Sequence, residues 1–201
     1  MHLLVTAGPT REYIDDIRFL TNSSTGKMGF EVAKAAIRKG HKVTLITGPT
    51  NLPDPKDVTV IRITSAQEML REALKAYPET EAVIATAAVS DYRPSKRTKG
   101  KKKKGEKELH LSLTLNPDIL KTLGKKKGSR TLIGFALEVQ NARKNALKKY
   151  REKNLDMIVL NGPSSLGAER MNATIYRGSD PEKIFTGATK RQVADWLIRA
   201  L

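Results

Sequence analysis

The chain has 201 residues, enough for one domain with a proper core, or one domain with a small appendage. The absence of cysteine excludes disulfides, thiolate metal sites and a cysteine nucleophile, and His2, His41 and His110 lie too far apart for a ligand-spaced pair. The net charge of +16, concentrated in residues 96–107 (K-R-T-K-G-K-K-K-K-G-E-K), suits nucleotide triphosphates as well as nucleic acid, but aromatics are scarce and count against an RNA-recognition surface.

The elements alternate. Residues 3–7 (L-L-V-T-A) read as a short buried strand. A T-A-G-P-T-R-E turn and the stretch R-F-L-T-N-S-S-T-G-K-M-G follow. A helix is expected over 27–39, with apolar Met28, Val32, Ala35 and Ala36, and Gly40 stops it. Strands are expected at 42–47 and 58–63. Ser65 then caps a helix reaching Tyr77, with Glu68 at the capping-box position. A fourth strand covers 82–86. After Asp91 the alternation breaks into the lysine-rich segment, expected to be a mobile loop over about 94–107, and a strand-like stretch at 108–113. Asn116 and Pro117 supply a cap and a proline at the start of a short helix. A strand at 131–136, a basic helix at 140–153 and a strand at 156–160 come next. Paired strands at 172–177 and 183–186 and a helix at 192–201 close the chain. No internal repeat occurs. The pattern predicts a three-layer α/β/α, Rossmann-like fold with a mostly parallel sheet, as one domain over 1–201.

Three motifs carry chemistry. The segment 18–29 combines hydroxyls, glycine and lysine ahead of a helix, and can offer N–H groups and a helix N-terminus to an anion. It is the expected working loop of an enzyme for phosphorylated substrates, with Arg18 and Asn22 adding a cation and an amide. It is neither G-x-G-x-x-G nor a Walker A loop, since Thr21 and Met28 stand where the latter needs glycine and Ser or Thr. Ser24 and Lys27 also fit S-x-x-K, a short match with no companion motif. The second motif is A-T-A-A-V-S-D-Y-R-P (85–94). Its small residues at a strand's C-terminal end let a ligand approach the backbone, and Asp91 could meet a ribose, base or magnesium ion or simply form a turn. The third is Lys149 with Lys153, four apart on one helical face. An anion, an acidic partner or plain solvation of a basic face would each satisfy them.

In combination and order, T-A-G-P-T-R-E, R-F-L-T-N-S-S-T-G-K-M-G, A-A-V-S-D-Y-R-P, L-N-P-D-I-L, G-F-A-L-E and K-N-L-D-M-I-V-L-N resemble the phosphopantothenate–cysteine ligase (phosphopantothenoylcysteine synthetase) family, over nearly the whole chain. This is the ligase half of the bifunctional coenzyme A biosynthesis protein. The resemblance implies joining of 4'-phosphopantothenate to cysteine with CTP, through an acyl-cytidylate, releasing CMP and pyrophosphate. ATP is the less favoured nucleotide, because N-P-D-I is the form associated with CTP. Magnesium is implied, held mainly through the triphosphate, with no protein ligand assigned.

By motif, Asn22 would orient the acyl-cytidylate and Arg18 would support the loop or the substrate phosphate. Ser23, Ser24, Gly26 and Lys27 would form the substrate loop. Ala85, Thr86, Ala87 and Asp91 would hold the nucleotide. Asn116, Pro117, Asp118, Ile119 and Phe135 would complete its pocket, and Lys149 and Lys153 would grip the triphosphate. Lys99 would be the catalytic lysine of a K-x-K-K element, with Lys101 its competitor. The family's late A-N-D reads Leu160, Asn161, Gly162 here. A homodimer is implied, built through a strand-rich dimerisation element at 108–113 or in the hairpin after Met171. The resemblance is to a stand-alone ligase or an isolated ligase domain, working with a separate phosphopantothenoylcysteine decarboxylase. No N-terminal signal or membrane-length apolar run is seen, so a cytoplasmic location is expected, without membrane or nucleic acid as partner. The alternatives are a nucleic-acid-binding module using 96–107 and a non-catalytic nucleotide-binding protein.

Overall fold

A computed structural model describes residues 1–101, 103, 105 and 108–201. The chain runs β1 (His2–Ala7), β2 (Arg11–Tyr13), β3 (Phe19–Thr21), α1 (Lys27–Arg38), β4 (Lys42–Thr47), β5 (Thr59–Arg62), α2 (Ala66–Ala76) and β6 (Ala82–Ala85). It continues through β7 (Tyr92–Pro94), β8 (Leu113–Leu115), α3 (Ile119–Lys125), β9 (Thr131–Leu137), α4 (Ala142–Glu152), β10 (Met157–Asn161), β11 (Arg170–Tyr176), β12 (Pro181–Thr189) and α5 (Lys190–Arg199).

One eight-stranded sheet has the order β12-β11-β10-β9-β6-β1-β4-β5. The six strands from β5 to β10 are parallel, and β11 and β12 are antiparallel additions. Helices cover both faces, so strand side chains are buried alternately on one side and the other. Leu3, Val5, Ile84, Ile133 and Val159 join one core with α1 and α5. Leu4, Val83, Leu132 and Ile158 join the other with α2, α3 and α4. Burial on two faces explains the unbroken apolar runs of these strands. The expected three-layer, mostly parallel fold is what the chain adopts.

Several local features differ from the sequence reading. The hairpin β2–β3 forms within what reads as turn and loop, because Arg11, Phe19 and Tyr13 stack together: the Arg11 guanidinium lies 4.5 Å from the Phe19 ring centre, and the two rings are 5.4 Å apart. Residues 108–112 are not a strand; Ser112 O accepts from Ser95 N–H, and the ladder proper begins at Leu113, against Pro94. Glu68 accepts from the Thr64 N–H, one residue before the Ser65 cap, rather than closing a reciprocal box. The cap of α3 is Asp118, which accepts from Lys121 N–H, so neither Asn116 nor Pro117 starts that helix. The capping box missed in the sequence lies at Thr189 and Gln192, and it starts α5 at Lys190.

The lysine-rich segment departs from a free loop at its base. Thr98 N–H donates to Ile14 O at 2.9 Å, Gly100 N–H to Asp16 Oδ2 at 2.7 Å, and Arg97 to Asp16 Oδ1 at 2.9 Å. The Gly100 N–H, followed by Arg97, holds the exposed Asp16 carboxyl below its usual range. Lys102, Lys104, Glu106 and Lys107 lie outside the described residues.

Candidate active site

Sheet topology places the cleft. Chain order runs outward from β1 to β4 and β5 on one side, and from β6 to β9 and β10 on the other, so β1 and β6 flank the switch point. Ligands of such sheets bind beyond the carboxyl ends of these strands. There the segment after β6 continues alongside the segment after β1: Thr86 N–H and Oγ1 both donate to Thr6 O, and Ala88 N–H donates to Gly8 O at 2.9 Å.

Two cavities open at this edge, of about 580 and 710 Å³, within the range typical of small-molecule sites. The first is lined by the 22–28 loop, Thr86, Ala87, Ala88, Val89, Asp91, Phe135, Lys149, Asn161 and Lys190. The second is lined by Pro9, Arg11, Phe19, Thr21 and residues 49–52. Asn22, Ser23, Ser24, Thr25, Leu166 and Gly167 line both and form the neck between them.

The loop at the neck is held by its own chemistry. Asn22 Nδ2 donates to Ala88 O at 3.2 Å and Val89 O at 3.1 Å, which fixes the amide against the second motif. Gly26 caps α1 in the left-handed region (φ 79°) with no side-chain cap. The first turn of α1 carries no acidic residue, and its Lys27 N–H meets Thr25 Oγ1 at 3.4 Å. Gly29 lets α1 lie on the sheet end: a Cβ there would fall 2.5 Å from Ala7 Cβ and 2.6 Å from Thr86 Oγ1. Lys27 pairs with Glu169, and this hydrogen bond holds the exposed Glu169 carboxyl below its usual value.

The remaining expected site residues divide. Ser23, Ser24, Gly26, Lys27, Thr86, Ala87, Asp91, Phe135 and Lys149 line the first cavity with Asn22. Arg18, Lys99, Ala85, Asn116, Pro117, Asp118, Ile119 and Lys153 line neither. Arg18 Nε donates to the buried Asp15 carboxylate at 2.9 Å, within the turn of the β2–β3 hairpin. Asn116 staples the edge of the second motif, donating to Ser90 O at 2.8 Å and accepting from Arg93 at 3.2 Å. Ile119 is buried in the core. Lys149 and Lys153 each pair with a carboxylate, Glu138 at 2.6 Å and Asp118 at 2.9 Å. Glu138 is the acid of G-F-A-L-E, and its pairing required two elements brought together by the fold.

Lys190 was not expected. It is buried yet reaches the first cavity, and no local pattern marks it, since it reads as one of many lysines at a helix start. Lys27 and Lys149 line the first cavity with Asp91, each already paired with a carboxylate, Glu169 and Glu138, that an anionic ligand would have to compete with. Among the described residues no three His, Asp or Glu side chains converge on a metal position, and no helix is long and apolar enough to cross a membrane.

The model of the DNA/pantothenate metabolism flavoprotein C-terminal domain matches residues 1–201. The coenzyme A biosynthesis bifunctional protein CoaBC of Bacillus subtilis is 46% identical over 168 residues, 83% of this chain and 41% of that protein. Its namesake in Borreliella burgdorferi is 39% identical over 202 residues, 99% of this chain and 52% of that protein. The chain thus spans about half the length of the curated relatives it matches. The crystal structure of the C-terminal domain of a CoaBC protein superimposes with a TM-score of 0.83 at 41% identity, covering 99% of this chain and 92% of that one. The chain therefore belongs to the DNA/pantothenate metabolism flavoprotein C-terminal domain family, the phosphopantothenate–cysteine ligase family that its motifs resemble.

Proposed function

We propose that this domain makes the amide bond between 4'-phosphopantothenate and cysteine in coenzyme A biosynthesis, using CTP. A carboxylate oxygen of phosphopantothenate attacks the α-phosphorus of CTP, the bond to the β-phosphate oxygen breaks, and pyrophosphate leaves. The cysteine amine then attacks the acyl carbon, CMP leaves with the acyl oxygen, and the amine proton passes to water. The observation that carries this reading is the pair of cavities meeting at Asn22, Ser23, Ser24 and Thr25. Two anionic substrates must meet somewhere, and a neck with three hydroxyls at a helix start free of acidic residues brings donors to the charge developing there.

In this reading the first cavity takes the nucleotide. Lys27 and Lys149 lie toward its phosphates, Phe135 and the small residues 86–88 toward base and ribose. Asp91 is the one carboxylate in that lining, so magnesium would be carried on phosphate oxygens and water with at most that protein contact. Arg18 acts through Asp15 on the loop geometry. Lys99, or Lys101 beyond it, would come from the lysine-rich segment.

A homodimer is part of the proposal. Leu109, Leu111, Leu113 and Leu115 recur at every second residue leading into and along β8, and all four are exposed, as is Tyr92 on the paired β7. A row of this kind fits a second copy better than water does, and it favours this segment over the hairpin after Met171, where Ile184 is the exposed large apolar residue. Sedimentation of wild type as a dimer, and of Leu113→Glu as a monomer, is expected. The reaction is tested by mixing the protein with phosphopantothenate, cysteine, magnesium and each of CTP, ATP, GTP and UTP. Pyrophosphate release fastest with CTP is expected. No release with any of the four rejects the ligase, and tight CTP binding without turnover would leave a nucleotide-binding protein.

A further inference from the structure

Lys190 opens α5 and is 7% exposed. A buried ammonium is costly unless its donors are matched. Its Nζ donates to Ser165 O at 3.1 Å and also to Ala168 O. Among the described residues no carboxylate forms an ion pair with it. Burial, followed by the charge of Lys27, pushes its pKa down, while Glu169 acts in the opposite sense. For packing alone, an apolar side chain would fill this position without the desolvation cost. The two carbonyls belong to residues 162–169, a connection with a single 3-10 turn (Pro163–Ser165) between β10 and β11. Leu166 and Gly167 lie between those carbonyls, and they are the residues that face the Asn22 loop across the neck.

We propose that Lys190 is a positioning residue that clamps the Ser165 and Ala168 carbonyls and thereby holds Leu166 and Gly167 as the far side of the neck between the two cavities. The Lys27–Glu169 pair is a second, exposed tie on the same segment. That the neck serves catalysis rests on the ligase reading, whereas the clamp itself stands on geometry.

The test compares wild type with Lys190→Met, which removes the donors at similar length, and Lys190→Arg, which restores them. Ser165 N–H and Leu166 N–H are bonded to Gly162 O and Pro163 O. Their hydrogen exchange is expected to rise about tenfold in Lys190→Met and to return toward wild type in Lys190→Arg. In the pyrophosphate assay, the nucleotide KM is expected to rise about tenfold in Lys190→Met with kcat within about twofold, a split that a generally weakened fold would not produce. Should Lys190→Met not fold, Lys190→Ala, which also removes the donors, takes its place. Exchange and KM both unchanged in a folded variant would overturn the clamp. A wild type without turnover would strike the ligase reading instead, and the exchange measurement would still decide the clamp.

Discussion

The two sides of the neck are held by different forces. On one side the Asn22 loop is bonded through its amide to Ala88 and Val89 carbonyls, and α1 lies so close to β1 that only a glycine fits at position 29. On the other, residues 162–169 carry few backbone bonds, and lysine ammoniums tie them down at Ser165, Ala168 and Glu169. The first side is fixed by short-range contact, which gives little. The second is fixed by charge, which tolerates displacement and responds to pH. Preorganised donors belong on the unyielding side, and a wall that must admit and release ligands belongs on the other.

Substitutions can break this contrast. Asn22→Asp puts a carboxylate where the acyl phosphate would form. Turnover is expected to fall by about 10²–10³ while thermal unfolding stays near wild type, and normal turnover would remove Asn22 from the mechanism. Next, Lys99→Gln is expected to slow acyl-cytidylate formation by about 10²-fold, with CTP affinity reduced less. If Lys101→Gln does this and Lys99→Gln is silent, the catalytic lysine lies beyond the anchored base of the segment. Gly29→Ala tests the rigid side itself. The intruding methyl is expected to cost about 1–3 kcal/mol in urea unfolding, and an unchanged midpoint would show that α1 can shift without penalty.

The smallest effect concerns the charged side. Glu169 has a folded pKa below its ordinary value of 4.5, so its pair with Lys27 contributes above that value and is lost as pH falls through the lowered one. Protection of the 162–169 amides, corrected for intrinsic exchange, is therefore expected to hold from neutral pH to about 5 and to decline below the ordinary glutamate pKa. Glu169→Gln should show less protection at neutral pH and no acid-side decline.

Periodicity and punctuation made the parallel sheet readable. Runs such as L-L-V-T-A and A-V-I-A-T lack the alternation of a half-exposed strand because both faces are covered, and Gly40 ends α1 with a left-handed φ of 76°. The β2–β3 hairpin was not readable, since its stability comes from Arg11, Tyr13 and Phe19 stacking across the turn rather than from an alternating pattern. At the site, Asn22, Lys27, Thr86, Asp91 and Phe135 were recognisable by motif and converge on one cleft. Asn116 and Lys153 were recognisable too, but they line neither cavity, Asn116 serving as a staple and Lys153 as the partner of Asp118.

By itself the sequence determined the layer order, the positive charge and the family, because hydrophobic period, composition and contiguous motifs are local properties of the chain. Tertiary structure decided which lysines face the cleft and which are paired. It set Lys149 against Glu138, buried Lys190 beneath Ala168, and left Lys99 outside both cavities. A lysine's role depends on which carboxylate or carbonyl lies within a few ångströms, and residues far apart in the chain become neighbours only when the sheet is assembled.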